Sequence, residues 1–179
     1  PRVFLAAVGP RMTEVAGEVA DGVICHAFTT EKYLRETTLP ALERGFAKAG
    51  KSRADFEISY PVFVVTGKNE EEIEQTKVAT RQQLAFYGST PAYKPVLDSI
   101  GAGELQGELN AMSKQGRWEE MGGLIDESTL NAFAVVGEPA SIAGQIVDRY
   151  GDIIDRTSAA YAHIGKEDRA NIISELTAA

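Results

Sequence analysis

The residues best suited to chemistry stand close together near the start of the chain, in Val8-Gly9-Pro10-Arg11. A glycine and a proline between an apolar run and a helical pattern make a tight strand-to-helix turn. Pro10 sits where its missing N–H would have had no partner, and Gly9 is expected to let the backbone turn with no Cβ in the way. The amides of Arg11 to Thr13 are then expected to point out of the sheet edge. A helix start carries about half a positive charge, and the Arg11 guanidinium adds to it, so the group suits phosphate or another anion. The same turn also serves as an ordinary βα connection, and it lacks the several glycines of dinucleotide or P-loop fingerprints. Elsewhere the chemistry-bearing types are sparse. The single cysteine, Cys25, lies in an apolar run and excludes a disulfide framework. The two histidines, His26 and His163, are far apart and have no metal-ligand spacing.

The elements that position this turn follow from apolar periodicity. Val3 to Val8 reads as a buried strand, and Met12, Val15, Ala16 and Val19 recur at helical spacing, the stripe expected to be buried. Gly22 to Ala27 is a second strand. Thr30 is placed to cap the next helix, Pro40 predicts a kink or restart near Thr38, and Gly50 ends that helix. Phe56 to Val65 alternates and then turns wholly apolar, a strand weakened at Pro61 by one lost ladder donor. Asn69 and three glutamates open a helix to about Tyr87. From Gly88 to Gly137, scattered Gly and Pro among short apolar groups predict short helices in one long insertion (88–137). After it come a helix carrying Ile142, Ile146, Val147 and Tyr150, a last strand over Ser158 to Ile164, and a terminal helix burying Ile172, Ile173 and Leu176. Strand and helix alternate four times, which argues for an α/β fold of parallel strands with right-handed crossovers. Four such units make either a small open sheet or half of an eight-fold barrel.

Length allows one domain, 1–179, with a real core. A formal net charge of −8 and a pI near 4.9 argue against a nucleic-acid or anionic-membrane surface. No apolar run approaches a membrane span and no signal pattern opens the chain, so a cytoplasmic location is expected. The chain opens at Pro1 without an initiating Met, immediately before a buried strand, which suggests a piece of a longer protein.

The run Leu5-Ala6-Ala7-Val8-Gly9-Pro10-Arg11-Met12, with Ala16 to Ile24, resembles the fifth and sixth βα region of the luciferase-like monooxygenases. Within that superfamily it is most similar to the actinobacterial coenzyme F420-dependent oxidoreductases. Phe86 to Tyr93 and Phe133 to Pro139 resemble the same group at the corresponding places. The resemblance implies the carboxyl half, strands five to eight, of a TIM (β/α)8 barrel, with the helical insertion before the last strand. It also implies that the backbone at Val8, Gly9, Pro10 and Arg11 holds the phosphate of F420, or of FMN in a flavin-using member, Pro10 supplying no donor. His26 falls where some relatives place a side chain over cofactor or substrate. A histidine there can donate to a substrate oxygen, and it can equally be hydrogen-bonded packing. Thr29 stands where relatives specific for sugar phosphates carry lysine, which argues against a phosphosugar. Tyr87, Tyr93 and Trp118 either cover the pocket or form the insertion's own small core.

The implied reaction is hydride transfer between the deazaflavin and a small organic substrate. Flavin-dependent oxygenation is the enzymatic alternative, and a non-catalytic α/β half-barrel module is the other reading. In relatives the acid-base residues come from the first four strands, so no catalytic residue is nominated here. Four strands cut from a barrel expose two edges, so a homo-oligomer or association with the missing half is expected.

Overall fold

The computed structural model describes residues 1–158 and 165–178. Strand β1 (Phe4–Ala7) leads through Gly9 into α1 (Pro10–Val19), and β2 (Gly22–Cys25) returns parallel to β1 with Phe4 opposite Gly22 and Ala7 opposite Cys25. Thr30 caps the short α2 (Glu31–Tyr33) by accepting the Tyr33 N–H at 3.1 Å. A π-type turn over Leu34–Thr38 then restarts as α3 (Leu39–Ala49), with Pro40 in its first turn and Gly50 closing it in the left-handed region at φ 66°. The kink, the restart and the cap thus fall where Pro40 and Gly50 require them.

The expected long strand divides at Tyr60-Pro61-Val62 into β3 (Glu57–Ser59) and β4 (Phe63–Thr66). The two halves pair with different partners. β3 joins the first sheet in the order β1-β2-β3, whereas β4 pairs in parallel with β5 (Ala134–Gly137). On its far side β3 meets the 155–156 backbone: Asp155 N donates to the Ile58 carbonyl at 3.0 Å and Tyr60 N to the Arg156 carbonyl at 2.9 Å. Of the strand expected over Ser158 to Ile164, residues 159–164 lie outside the described residues.

α4 (Glu70–Gly88) is capped by Asn69, whose Oδ1 accepts the Glu72 N–H at 2.9 Å. Beyond it come α5 (Lys94–Ser99), α6 (Leu105–Lys114), α7 (Trp118–Met121) and α8 (Glu127–Phe133), which runs directly into β5. The chain thus passes from helix to strand between Phe133 and Ala134 with no loop between them. α9 (Pro139–Tyr150) and α10 (Lys166–Ala178) complete the order.

Two cores result. The first holds Ala16 and Ala20 of α1, Val23 and Cys25 of β2, Leu42 and Phe46 of α3, and Ile142, Ile146 and Tyr150 of α9. The second gathers Phe28, Phe63, Val65, Leu84, Leu97 and Phe133. Alternation along β4 and β5 links them, since Val64 and Val135 enter the first core while Phe63, Val65 and Ala134 enter the second.

The stripe of α1 expected to be buried is not the one that packs. Thr13, Ala16 and Gly17 are buried, whereas Met12, Val15 and Val19 are exposed at 44%, 41% and 64%. The cause is the approach of α3, where backbone meets backbone. A Cβ on Gly17 would stand 2.7 Å from the Leu42 carbonyl oxygen, and one on Gly45 would stand 2.8 Å from the Glu18 nitrogen. Small residues mark the contact, and the large ones beside it are left facing outward. Ile173, also expected inside, is half exposed, while Ile172 is buried.

Candidate functional site

Gly9 is the N-cap of α1 with φ −90° and ψ 160°, extended backbone that any residue adopts, and a Cβ there would meet nothing within 4 Å. The turn therefore does not need glycine for its own geometry. What the missing side chain leaves is open space in front of the helix start. The Thr13 amide, expected to be free, donates to the Gly9 carbonyl at 3.1 Å, and the Thr13 hydroxyl reinforces that bond at 3.0 Å. This leaves the amides of Arg11 and Met12, which have no backbone acceptor among the described residues. No side chain caps them and no acidic residue lies in the first turn. By contrast, Asn69 with Glu70, Glu71 and Glu72 fills the start of α4, and Asp126 that of α8. Arg11 is exposed and forms no ion pair among the described residues. Two unsatisfied N–H donors, a helix dipole and a free guanidinium with open space before them can hold an anion.

The parallel register that sets Ala7 opposite Cys25 brings Val8 and His26 to the same sheet end, each one residue beyond the paired segment. His26 Nδ1 accepts the Phe28 N–H at 3.0 Å, which fixes the proton of the neutral ring on Nε2. That nitrogen has no hydrogen-bond partner among the described residues. The ring stacks on Tyr93 at 4.9 Å and 23° and meets Tyr87 edge-on at 4.8 Å. Burial lowers the His26 pKa below its ordinary 6.5, so at neutral pH the side chain is an uncharged, oriented donor. An NMR titration should therefore give a His26 midpoint below 6.5. Because the folded protein binds this proton more weakly than the unfolded chain, stability is full above pH 6.5 and falls as the pH drops below it.

Of the other residues singled out in the sequence, Tyr87 and Tyr93 pack against the second core, and their rings meet that of His26. Trp118 is half exposed and stands 5.9 Å from the Phe86 ring, a pairing that no local sequence signal announces. The Thr29 side chain is buried, and its carbonyl accepts the Tyr60 hydroxyl at 2.7 Å, so it serves structure. Burial pushes the Cys25 thiol up to about 12, which leaves no thiolate for nucleophilic work.

The profile of the family described as luciferase-like monooxygenase matches residues 1–156. The chain belongs to the luciferase-like monooxygenase family. Among its relatives in that family is an uncharacterized protein of Mycobacterium tuberculosis, 52% identical over 156 residues, which cover 87% of this chain and 46% of the relative. Another is the 5,10-methylenetetrahydromethanopterin reductase of Methanopyrus kandleri, 29% identical over 145 residues, covering 80% of this chain and 40% of that one. The chain thus spans less than half the length of these relatives. Among solved structures, the coenzyme F420-dependent tetrahydromethanopterin reductase from Methanopyrus kandleri matches at TM-score 0.74 and 24% identity, over 98% of this chain and 48% of that one. An F420-dependent secondary alcohol dehydrogenase in complex with an F420-acetone adduct matches at TM-score 0.60 and 16% identity, over 98% and 48%. At these identities the structural matches establish the fold. Among the described residues no helix is long and apolar enough to cross a membrane.

Proposed function

We propose that this chain is the cofactor-holding carboxyl half of an F420-dependent oxidoreductase that passes a hydride between the deazaflavin and a small organic substrate. In this reading residues 1–179 form one half-barrel domain and 88–137 is an insertion within it. The observation that carries the reading is the start of α1, where the Arg11 and Met12 amides and the free Arg11 side chain face open space beside Gly9. Two solved structures of the same fold carry F420 in their names, which supports F420 as the ligand of that anion site. The backbone at Val8, Gly9, Pro10 and Arg11 cradles the cofactor's phosphate, with Pro10 shaping the turn and donating nothing. His26, neutral and with its Nε2–H available, faces the cofactor or the substrate from the neighbouring strand. Hydride chemistry is supplied by the cofactor when it is bound. The protein's task is to hold its phosphate, orient a donor and limit water.

Titrating the intact protein, amino half included, with F420 and with FMN tests the reading. Tighter binding of F420 is expected, and tighter binding of FMN would replace the deazaflavin with a flavin.

The open side of this half also needs a partner. Among the described residues β1 pairs only with β2, and Val3 before it and Met12, Val15 and Val19 of α1 lie exposed. This face takes the amino half in the intact protein, and a second copy when that half is missing. Sedimentation of the 179-residue chain at rising concentration should therefore show dimers or larger species. Val15→Glu with Val19→Glu should shift the chain toward monomer, whereas a monomer at high concentration without these changes would contradict the association.

A further inference from the structure

Between the outer half of α4 and helix α7 lies an open cavity of about 730 Å³, with Ala27, Phe63, Phe86, Tyr87, Trp118 and Glu119 among its walls. Phe86 and Trp118 leave half of their surfaces in water at its mouth, with ring centroids 5.9 Å apart and planes inclined by 49°. Phe63 and Met121 are buried behind them, and Thr80, Gln82 and Gln83 supply polar groups without charge. Among the described residues no lysine or arginine lines the cavity. The two arginines flanking it in sequence are engaged elsewhere: Arg81 is paired with Glu127, and Arg117 reaches Glu120 at 2.7 and 3.0 Å. Among the described residues Glu119 is the one ionic group in the walls.

This chemistry selects its guest. An anion entering would leave water for a site with no cation and one carboxylate, whereas a flat uncharged ring would bury against the two exposed aromatic faces. The cavity is linked to His26 through Tyr87, which lines it and whose ring meets the imidazole edge-on at 4.8 Å. We infer that this cavity receives the ring of the substrate, and that the substrate is a planar apolar ring system bearing no negative charge. Calling the guest a substrate rests on the reading of the α1 start and His26 as the cofactor side. The selectivity of the cavity rests on its own walls.

Trp118 is the one tryptophan in the chain, so its indole N–H gives a single NMR signal inside the site. With no cofactor present, 2-naphthalenemethanol should shift that signal saturably, and 2-naphthoate, the same ring with a carboxylate, should bind at least tenfold more weakly. Phe86→Ala, a change at a half-exposed side chain that leaves the core intact, should weaken 2-naphthalenemethanol binding by fivefold or more. Glu119→Gln should narrow the gap between the two probes without changing the affinity for the neutral one. Equal binding of both probes, or an indole signal that neither moves, would overturn the inference. Because F420 is absent from the measurement, that failure is separate from failure of the cofactor site, which only the F420 titration reports.

Discussion

Gly9→Asp should make the protein more stable and at the same time weaken F420 binding at least tenfold. At φ −90° and ψ 160° the N-cap of α1 already has the conformation from which an aspartate accepts the second and third amides of a helix, here Arg11 and Met12. Nothing within 4 Å obstructs a side chain at this position. Replacing glycine with a capping residue stabilises by a few tenths of a kcal/mol, and a negative charge at the positive end of the dipole adds about 0.3–1 kcal/mol. The same carboxylate takes the two donors that the cofactor's phosphate would use and repels it. Hydrogen bonds to a charged group contribute about 1.5–3 kcal/mol each, so the loss exceeds the tenfold mark even if one donor remains available. A thermal melt and a fluorescence titration with F420 read the two effects, and their opposite signs separate loss of the site from loss of the fold. Arg11→Ala should weaken binding less, and more noticeably at low salt, because its exposed charge is screened.

The largest effect on stability is expected from Gly45→Ala. A Cβ at this position would stand 2.8 Å from the Glu18 nitrogen and closer still to the Glu14 carbonyl oxygen, both of them backbone atoms of α1 that no rotamer change can move aside. α1 and α3 would have to part, opening the contact around Ala16 and Leu42, both at 0% exposure. Overpacking of this kind costs about 1–3 kcal/mol, and separation of two packed helices places the change at or above the upper end. Urea unfolding should show a lower midpoint. Because α1 carries the Arg11 and Met12 amides at its start, a folded remainder should also bind F420 more weakly. A variant with wild-type stability would mean that the two helices are not held this closely.

What the sequence made legible was local. Pro10 at the first helical position, Thr30 and Asn69 as caps, the restart at Pro40 and the left-handed Gly50 each follow from the conformations that one residue permits. The alternation of strand and helix gave parallel pairing for the same reason. Partner choice was harder, because it depends on residues far apart. Pro61 marks a weakness in the strand, yet nothing nearby says that β4 turns to a strand about seventy residues on. The packing face of α1 was misread because hydrophobicity points to Met12, Val15 and Val19, while close approach selects Ala16 and Gly17. At the site, the Gly-Pro-Arg turn was visible as an anion candidate, but the Thr13 amide is closed back onto Gly9 and the glycine is not needed for the turn. Aromatic contacts to His26 join residues more than sixty positions apart, Tyr87 near the end of α4 and Tyr93 just beyond it, and no local pattern announces them.

The most direct test follows the amides themselves. In the intact protein labelled with nitrogen-15, F420 should move the Arg11 and Met12 amide signals farther than those of Thr13, whose proton is already committed to Gly9, and Gly9→Asp should abolish those shifts. F420 binding that leaves Arg11 and Met12 unmoved while shifting amides elsewhere would contradict a phosphate held at the start of α1.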